Sequence, residues 1–164
     1  MVDRIATLET EERSVDERHS WLLARTPRTP VFVCERDGTV LGWGSLNQFN
    51  PRAAYRFVAD FSIYVEREAR GSGIGSALME HLIAAARKLG YHKLVLSAFP
   101  INQAGMKLYQ RFGFPGGVGI YRQQEALDGQ WVNTIIMELL LDDDLPPWKV
   151  RRRLLVGRKR RYRY

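Results

Sequence analysis

The chain has 164 residues, 45% apolar and 26% charged, with a single cysteine and a formal net charge of +7. These values suit one globular domain with a substantial core, and they set aside a disordered chain or a disulfide-stapled miniprotein. No apolar run reaches the roughly 18 residues needed to cross a bilayer, and the opening MVDRIATLETEERSVDE is too acidic for a signal or transit peptide, so the expectation is a cytoplasmic protein with no membrane contact.

In chain order, Val31–Glu35 reads as a strand and Asp37-Gly38 as a hairpin turn, with Thr39–Leu46 returning antiparallel. Asn50-Pro51-Arg52 interrupts, and Tyr55–Val65 supplies a longer third strand. A charged, glycine-rich loop, Glu66–Gly73, leads into a helix whose apolar face is Ile74, Leu78, Leu82, Ala85 and Leu89, ending at Gly90. His92–Ala98 is the next strand, Pro100 ends it, and Asn102 caps a helix through Arg111. After the glycine-dense stretch Gly113–Gly119, two strands flank the turn Leu127-Asp128-Gly129 and close near Leu141. The order β-β-β-α-β-α-β-β predicts an α/β (α+β) fold. Its mixed sheet is mostly antiparallel, with one strand–helix–strand crossover at the centre.

Asp142–Asp144 and Pro146-Pro147 mark a boundary, giving a domain of residues 1–144 and a basic tail of residues 145–164. The tail holds nine cations and no acid, and removing those nine from +7 leaves the body at −2. Basicity therefore belongs to the tail. Lys149–Arg163, with Tyr162 and Tyr164 for stacking, opens a nucleic-acid-binding reading, although a short charge run without a fold motif is commonly just a solvated segment.

The segment Arg70-Gly71-Ser72-Gly73-Ile74-Gly75-Ser76 sits between a strand and an amphipathic helix. Its glycines let the backbone approach a ligand and aim N–H groups at it, and the helix N-terminus and Arg70 add positive charge. A phosphate or pyrophosphate is the expected guest, and a plain surface turn the alternative. The lysine of a P-loop is absent, and Ser76 stands where a dinucleotide fingerprint needs its last glycine. His19, His81 and His92 have no metal-ligand spacing, so no metal site is expected.

The spacing that fits is Arg-x-x-Gly-x-Gly after the strand end Ser62-Ile63-Tyr64-Val65, followed by Asn102 and by Leu108-Tyr109-Gln110-Arg111-Phe112-Gly113-Phe114. Here the chain resembles the GNAT superfamily of N-acetyltransferases. Val40-Leu41-Gly42-Trp43, Arg52-Ala53-Ala54-Tyr55, Asp60-Phe61-Ser62-Ile63-Tyr64-Val65 and Leu127-Asp128-Gly129-Gln130-Trp131 are similar to its phosphinothricin acetyltransferase-like branch. The resemblance runs from about Thr7 to about Leu141. It implies a GNAT fold whose opening strand and helix are missing here. It further implies acetyl-CoA as co-substrate and direct transfer in a ternary complex to the amine of a small amino acid or its analogue. Phosphinothricin and methionine sulfoximine are the acceptors it suggests, and a homodimer the assembly. A protein or polyamine amine is the alternative acceptor.

The resemblance also implies roles. Asp60, where the branch usually has Glu, would be the base, directly or through a water. Tyr109 would protonate the leaving thiolate. The backbone of Ile63, Tyr64 and Val65 would pair with the pantetheine arm, the Tyr64 ring itself being read as core. Gly71, Ser72, Gly73, Ile74, Gly75 and Ser76 would hold the pyrophosphate beside Arg70, and Asn102 would contact pantetheine or simply cap its helix. Arg52 would grip a substrate carboxylate, with Trp43 and Tyr55 lining that pocket.

Overall fold

The computed structural model describes residues 13–127 and 129–141. The expected boundary after residue 144 and the basic tail lie outside them. Three helices, α1 (Val15–Leu23), α2 (Ile74–Lys88) and α3 (Gln103–Arg111), accompany six strands: β1 (Val31–Arg36), β2 (Thr39–Gln48), β3 (Val58–Val65), β4 (Lys93–Ala98), β5 (Gly119–Leu127) and β6 (Gln130–Leu140). They form one sheet in the order β1-β2-β3-β4-β6-β5, in which only β3 and β4 are parallel.

The single parallel pair follows from the connection. A two-residue Asp37-Gly38 turn, both residues at positive φ, can only return a strand antiparallel. Between β3 and β4 the chain instead spends fifteen residues on α2, a crossover long enough to bring the next strand back in the same direction. That helix buries Ile74, Leu78, Met79, Leu82, Ile83 and Ala86 against one sheet face. The core continues through Leu46, Ala59, Phe61, Leu94, Leu96, Phe114 and Met137. Its approach to β2 is close because Gly42 and Gly44 have no side chains. A Cβ on Gly42 would stand 2.9 Å from the Ile74 side chain, and one on Gly44 3.0 Å from Leu82.

Two expectations need correction. The third strand begins at Val58, since Ala53–Tyr55 winds into a short 3₁₀ turn. A helix, α1, also precedes β1, where the sequence pattern signals none. No residue of α1 is buried, so its apolar periodicity carries no signal. What starts it is a capping box: the Ser14 side chain accepts from the Glu17 N–H, and the Glu17 carboxylate accepts from the Ser14 N–H. Among the described residues no strand precedes Val31, and no helix is long and apolar enough to cross a membrane.

Candidate active site

Only three register pairs join β3 to β4: Val58–Lys93, Ala59–Leu94 and Asp60–Val95. Beyond Asp60 the strands part, β3 staying paired with β2 through Val65 and β4 with β6 through Ala98. The main-chain edge of Phe61–Val65 that would have faced β4 opens onto a wedge in the middle of the sheet. Such an edge offers alternating N–H and C=O groups to an extended ligand. Ile63, Tyr64 and Val65 lie along it.

At the far end of that edge stands the glycine loop. Gly71 and Gly73 adopt left-handed φ values of 78° and 91°, which β-carbon-bearing residues rarely adopt. The Ser72 hydroxyl donates to the Ala69 carbonyl at 2.6 Å and Arg70 Nε to the Val65 carbonyl at 3.3 Å, holding the loop against the strand end. Gly73 caps α2 without a side-chain partner, and the first turn carries no acid. The earliest bond of this helix runs from the Ala77 N–H to the Gly73 carbonyl. The amides of Ile74, Gly75 and Ser76 therefore point outward beyond the ladder, as an anion site needs. Leu108 of α3 closes over this corner, 3.4 Å from where a Gly75 Cβ would stand, with Val65 at 3.9 Å.

Asp60 is the last β3 residue paired with β4, and Tyr109 comes from α3. Burial pushes the Asp60 carboxyl up to about 6, against the opposing 2.6 Å hydrogen bond from the Phe61 N–H. The Tyr109 ring packs against Phe61 and Phe114, at 6.0 and 6.2 Å between centroids. Its phenol is pushed up to about 12, first by burial and then by the neighbouring Tyr64 and Asp60. A carboxyl that ionises near neutrality and a phenol that keeps its proton are the kinds of group that base and acid chemistry require.

Strand pleating sends Asp60, Ser62 and Tyr64 to the sheet face opposite Ala59 and Phe61. On that face Tyr64 stacks on Trp43 at 4.6 Å, and Trp43 meets Trp21 of α1 edge-on at 5.6 Å. The reading of Tyr64 as a core ring is thus corrected: it lies on the face of Asp60, away from the core cluster. Arg25, just after α1, sits over the Trp21 ring at 4.5 Å and donates to the Leu46 carbonyl and to Asn47 Oδ1, the latter at 3.1 Å. Burial holds its guanidinium below the usual value. Asn47 also accepts from Ser45 Oγ at 3.0 Å and donates through Nδ2 to Ser62 Oγ at 3.1 Å. Trp21, Arg25, Ser45, Asn47 and Ser62 are residues that sequence reasoning missed. The available signal was Ser45 and Asn47 alternating into an otherwise apolar strand.

The remaining expected residues sit apart. Arg52 is exposed at the start of the 3₁₀ turn, its N–H donating to Asn50 Oδ1 at 2.9 Å, and its guanidinium has no hydrogen bond or ion pair among the described residues. Tyr55 is exposed and packs on Phe49 at 5.6 Å. This loop joins β2 to β3 at the Asp60 end of β3, away from the glycine loop. Asn102 caps α3, its Oδ1 accepting from the Gly105 N–H at 3.0 Å. Among the described residues no group of His, Cys, Asp and Glu could hold a metal ion.

The profile described as "Acetyltransferase (GNAT) family" matches residues 3–114. The chain is 33% identical over 133 residues to the L-amino acid N-acyltransferase MnaT of Escherichia coli, covering 80% of this chain and 77% of that protein. It is 31% identical over 134 residues to the L-methionine sulfoximine/L-methionine sulfone acetyltransferase of Salmonella typhimurium, covering 80% and 77%. Among solved structures, the phosphinothricin acetyltransferase of Sinorhizobium meliloti in complex with acetyl-CoA superposes with a TM-score of 0.78 at 28% identity, over 85% of this chain and 76% of that one. With a parted parallel pair, a glycine loop opening the crossover helix and sequence identity above 30% across most of its length, the chain belongs to the GNAT family of acetyltransferases.

Proposed function

We propose that this enzyme moves the acetyl group of acetyl-CoA directly to the α-amine of a small amino acid or amino-acid analogue, of the phosphinothricin or methionine sulfoximine type, in a ternary complex. The observation that carries the reading is the wedge between β3 and β4, with the glycine loop at one end and the raised Asp60 carboxyl at the other. The pyrophosphate lies against the amides of Gly71–Ser76, and the pantetheine arm extends along the edge of Ile63–Val65 as a substitute strand. This delivers the thioester to the neighbourhood of Asp60 and Tyr109. The acceptor class follows that of the relatives, which act on amino acids or their analogues.

The chemistry follows from charge. An amino-acid ammonium is protonated at neutral pH and cannot attack. Asp60, ionised above about pH 6, takes one proton from it directly or through a water. The neutral amine then adds to the thioester carbonyl, whose developing oxyanion meets a main-chain N–H of the open edge. Collapse breaks the C–S bond and the thiolate takes the phenolic proton of Tyr109, which is retained to about pH 12; the nitrogen's second proton, shed as the amide forms, returns through solvent to the phenolate. An acceptor screen with purified protein and acetyl-CoA tests the reading. L-Methionine sulfoximine, L-methionine sulfone and phosphinothricin are expected to release free CoA thiol. Release only with polyamines or a protein amine refutes it.

A further inference from the structure

Resting on the amino-acid reading above, we infer that Ser62 is a substrate-binding residue that receives the acceptor's α-carboxylate, at the end of a donor chain driven by Arg25. The direction of the chain is set by its own bonding. Asn47 Oδ1 accepts from Arg25 Nη2 at 3.1 Å and from Ser45 Oγ at 3.0 Å, which occupies both of its lone pairs. The amide therefore has only N–H to offer Ser62, and Ser62 Oγ, 3.1 Å away, must accept. Its own proton is left as a donor with no acceptor among the described residues.

Every link biases that proton outward. Arg25 cannot give up its charge, and its cation pulls electron density from the Asn47 carbonyl, making the amide a stronger donor to Ser62. Ser45, completely buried, locks Asn47 from behind. The arrangement stabilises a negative group in front of Ser62.

Position supplies the rest. Ser62 lies two residues beyond Asp60 on the same strand face, roughly 6–7 Å along the strand. Hydrogen bonds of about 2.8 Å from each leave room between them for the head of an α-amino acid, its ammonium toward Asp60 and its carboxylate toward Ser62. Both sit beside the parted edge where the thioester lies. The exposed Arg52 has no such setting, and the stacked Trp43 and Tyr64 stand next to Ser62 as a wall for the side chain.

The test compares L-methionine sulfone with its carboxamide, which keeps the amine and removes the negative charge. The wild type is expected to show a KM about tenfold or more lower for the acid, the range for a hydrogen bond to a charged group. Ser62→Ala is expected to abolish most of that preference by raising KM for the acid alone, with kcat changed less than about threefold. Ser62→Thr, which keeps the hydroxyl, restores it. Asn47→Asp is the sharper arm, since a carboxylate there takes the Ser62 proton and is expected to reverse the preference. Unchanged acetyl-CoA affinity by calorimetry certifies that each variant is folded. Equal KM values for acid and amide in the wild type overturn the inference, as does a Ser62→Ala effect that falls on both acceptors alike. So does a preference removed by Arg52→Ala and kept by Ser62→Ala. Failure of the wild type to acetylate either compound overturns the amino-acid reading itself, a distinct result.

Discussion

Replacing Asp60 by Asn separates what the carboxylate does for catalysis from what its burial does to the fold. Burial raises the Asp60 carboxyl from 3.8 to about 6. Between those values the folded protein holds a proton that the unfolded chain has released, so the contribution of Asp60 to stability is greatest below about pH 4 and is lost as the pH climbs through about 6. At about 1.4 kcal/mol per pH unit, a shift from 3.8 to about 6 is worth at most about 3 kcal/mol. Asp60→Asn keeps an acceptor for the Phe61 N–H and removes the buried charge. Thermal melts are expected to coincide for the two proteins near pH 4 and to separate above pH 6. The variant should be the more stable by up to roughly 5–10 °C for a domain of this size. Turnover should move the opposite way. Losing a general base costs about 10²–10⁴ in rate, and the rise of wild-type kcat/KM through about pH 6 should disappear. The residual rate should then climb with pH as free amine accumulates. A variant within threefold of wild-type kcat, or melts that stay parallel from pH 4 to pH 8, refutes the reasoning.

Tyr109→Phe keeps the packing against Phe61 and Phe114 and removes only the proton, so kcat should fall by about 10²-fold or more with acetyl-CoA affinity by calorimetry unchanged. Gly42→Ala forces a methyl to within 2.9 Å of the Ile74 side chain and the Tyr64 carbonyl. This should cost about 1–3 kcal/mol in denaturant melts and, by displacing the start of α2, weaken acetyl-CoA binding. Removing residues 142–164 takes away nine cations. We propose that this leaves kcat unchanged and raises KM for acetyl-CoA only at low salt, where attraction reaches beyond about 10 Å; a folded but inactive product at every ionic strength overturns it.

Most of the fold was legible because its signals are local. The Asp37-Gly38 turn, the apolar stripe from Ile74 to Leu82 and the Asn102 cap each act over a few residues, and β1, β2, α2, β4 and α3 fall within two residues of expectation. Tyr55 misled because aromatic residues suit strands, whereas here Asn50-Pro51 starts a loop that winds once before Val58. Helix α1 was hidden because none of its residues is fully buried, so no apolar stripe marks it. At the site, the glycine loop was readable from its strand–loop–helix setting, and Asp60 and Tyr109 only through the family resemblance. Ser62 and Arg25 were not, because their connection spans 37 positions and exists only once β2 lies between α1 and β3. Nothing in a one-dimensional pattern distinguishes a serine that closes such a chain from one that faces water.

The parted strands also have a mechanical consequence. The sheet is two three-stranded ribbons, β1-β2-β3 and β4-β6-β5, stitched along a seam of three residue pairs. A pantetheine arm lying in the wedge would lengthen that seam from within, so the coenzyme would act as a structural rivet as well as a reactant. In amide hydrogen exchange, protection along Phe61–Val65 and along the facing edge of Leu96–Ala98 should rise together on adding CoA. The outer pairing of β1 with β2, which lies away from the seam, should barely change. The apparent melting temperature should then climb with the logarithm of CoA concentration, as the enzyme borrows part of its rigidity from the molecule it consumes.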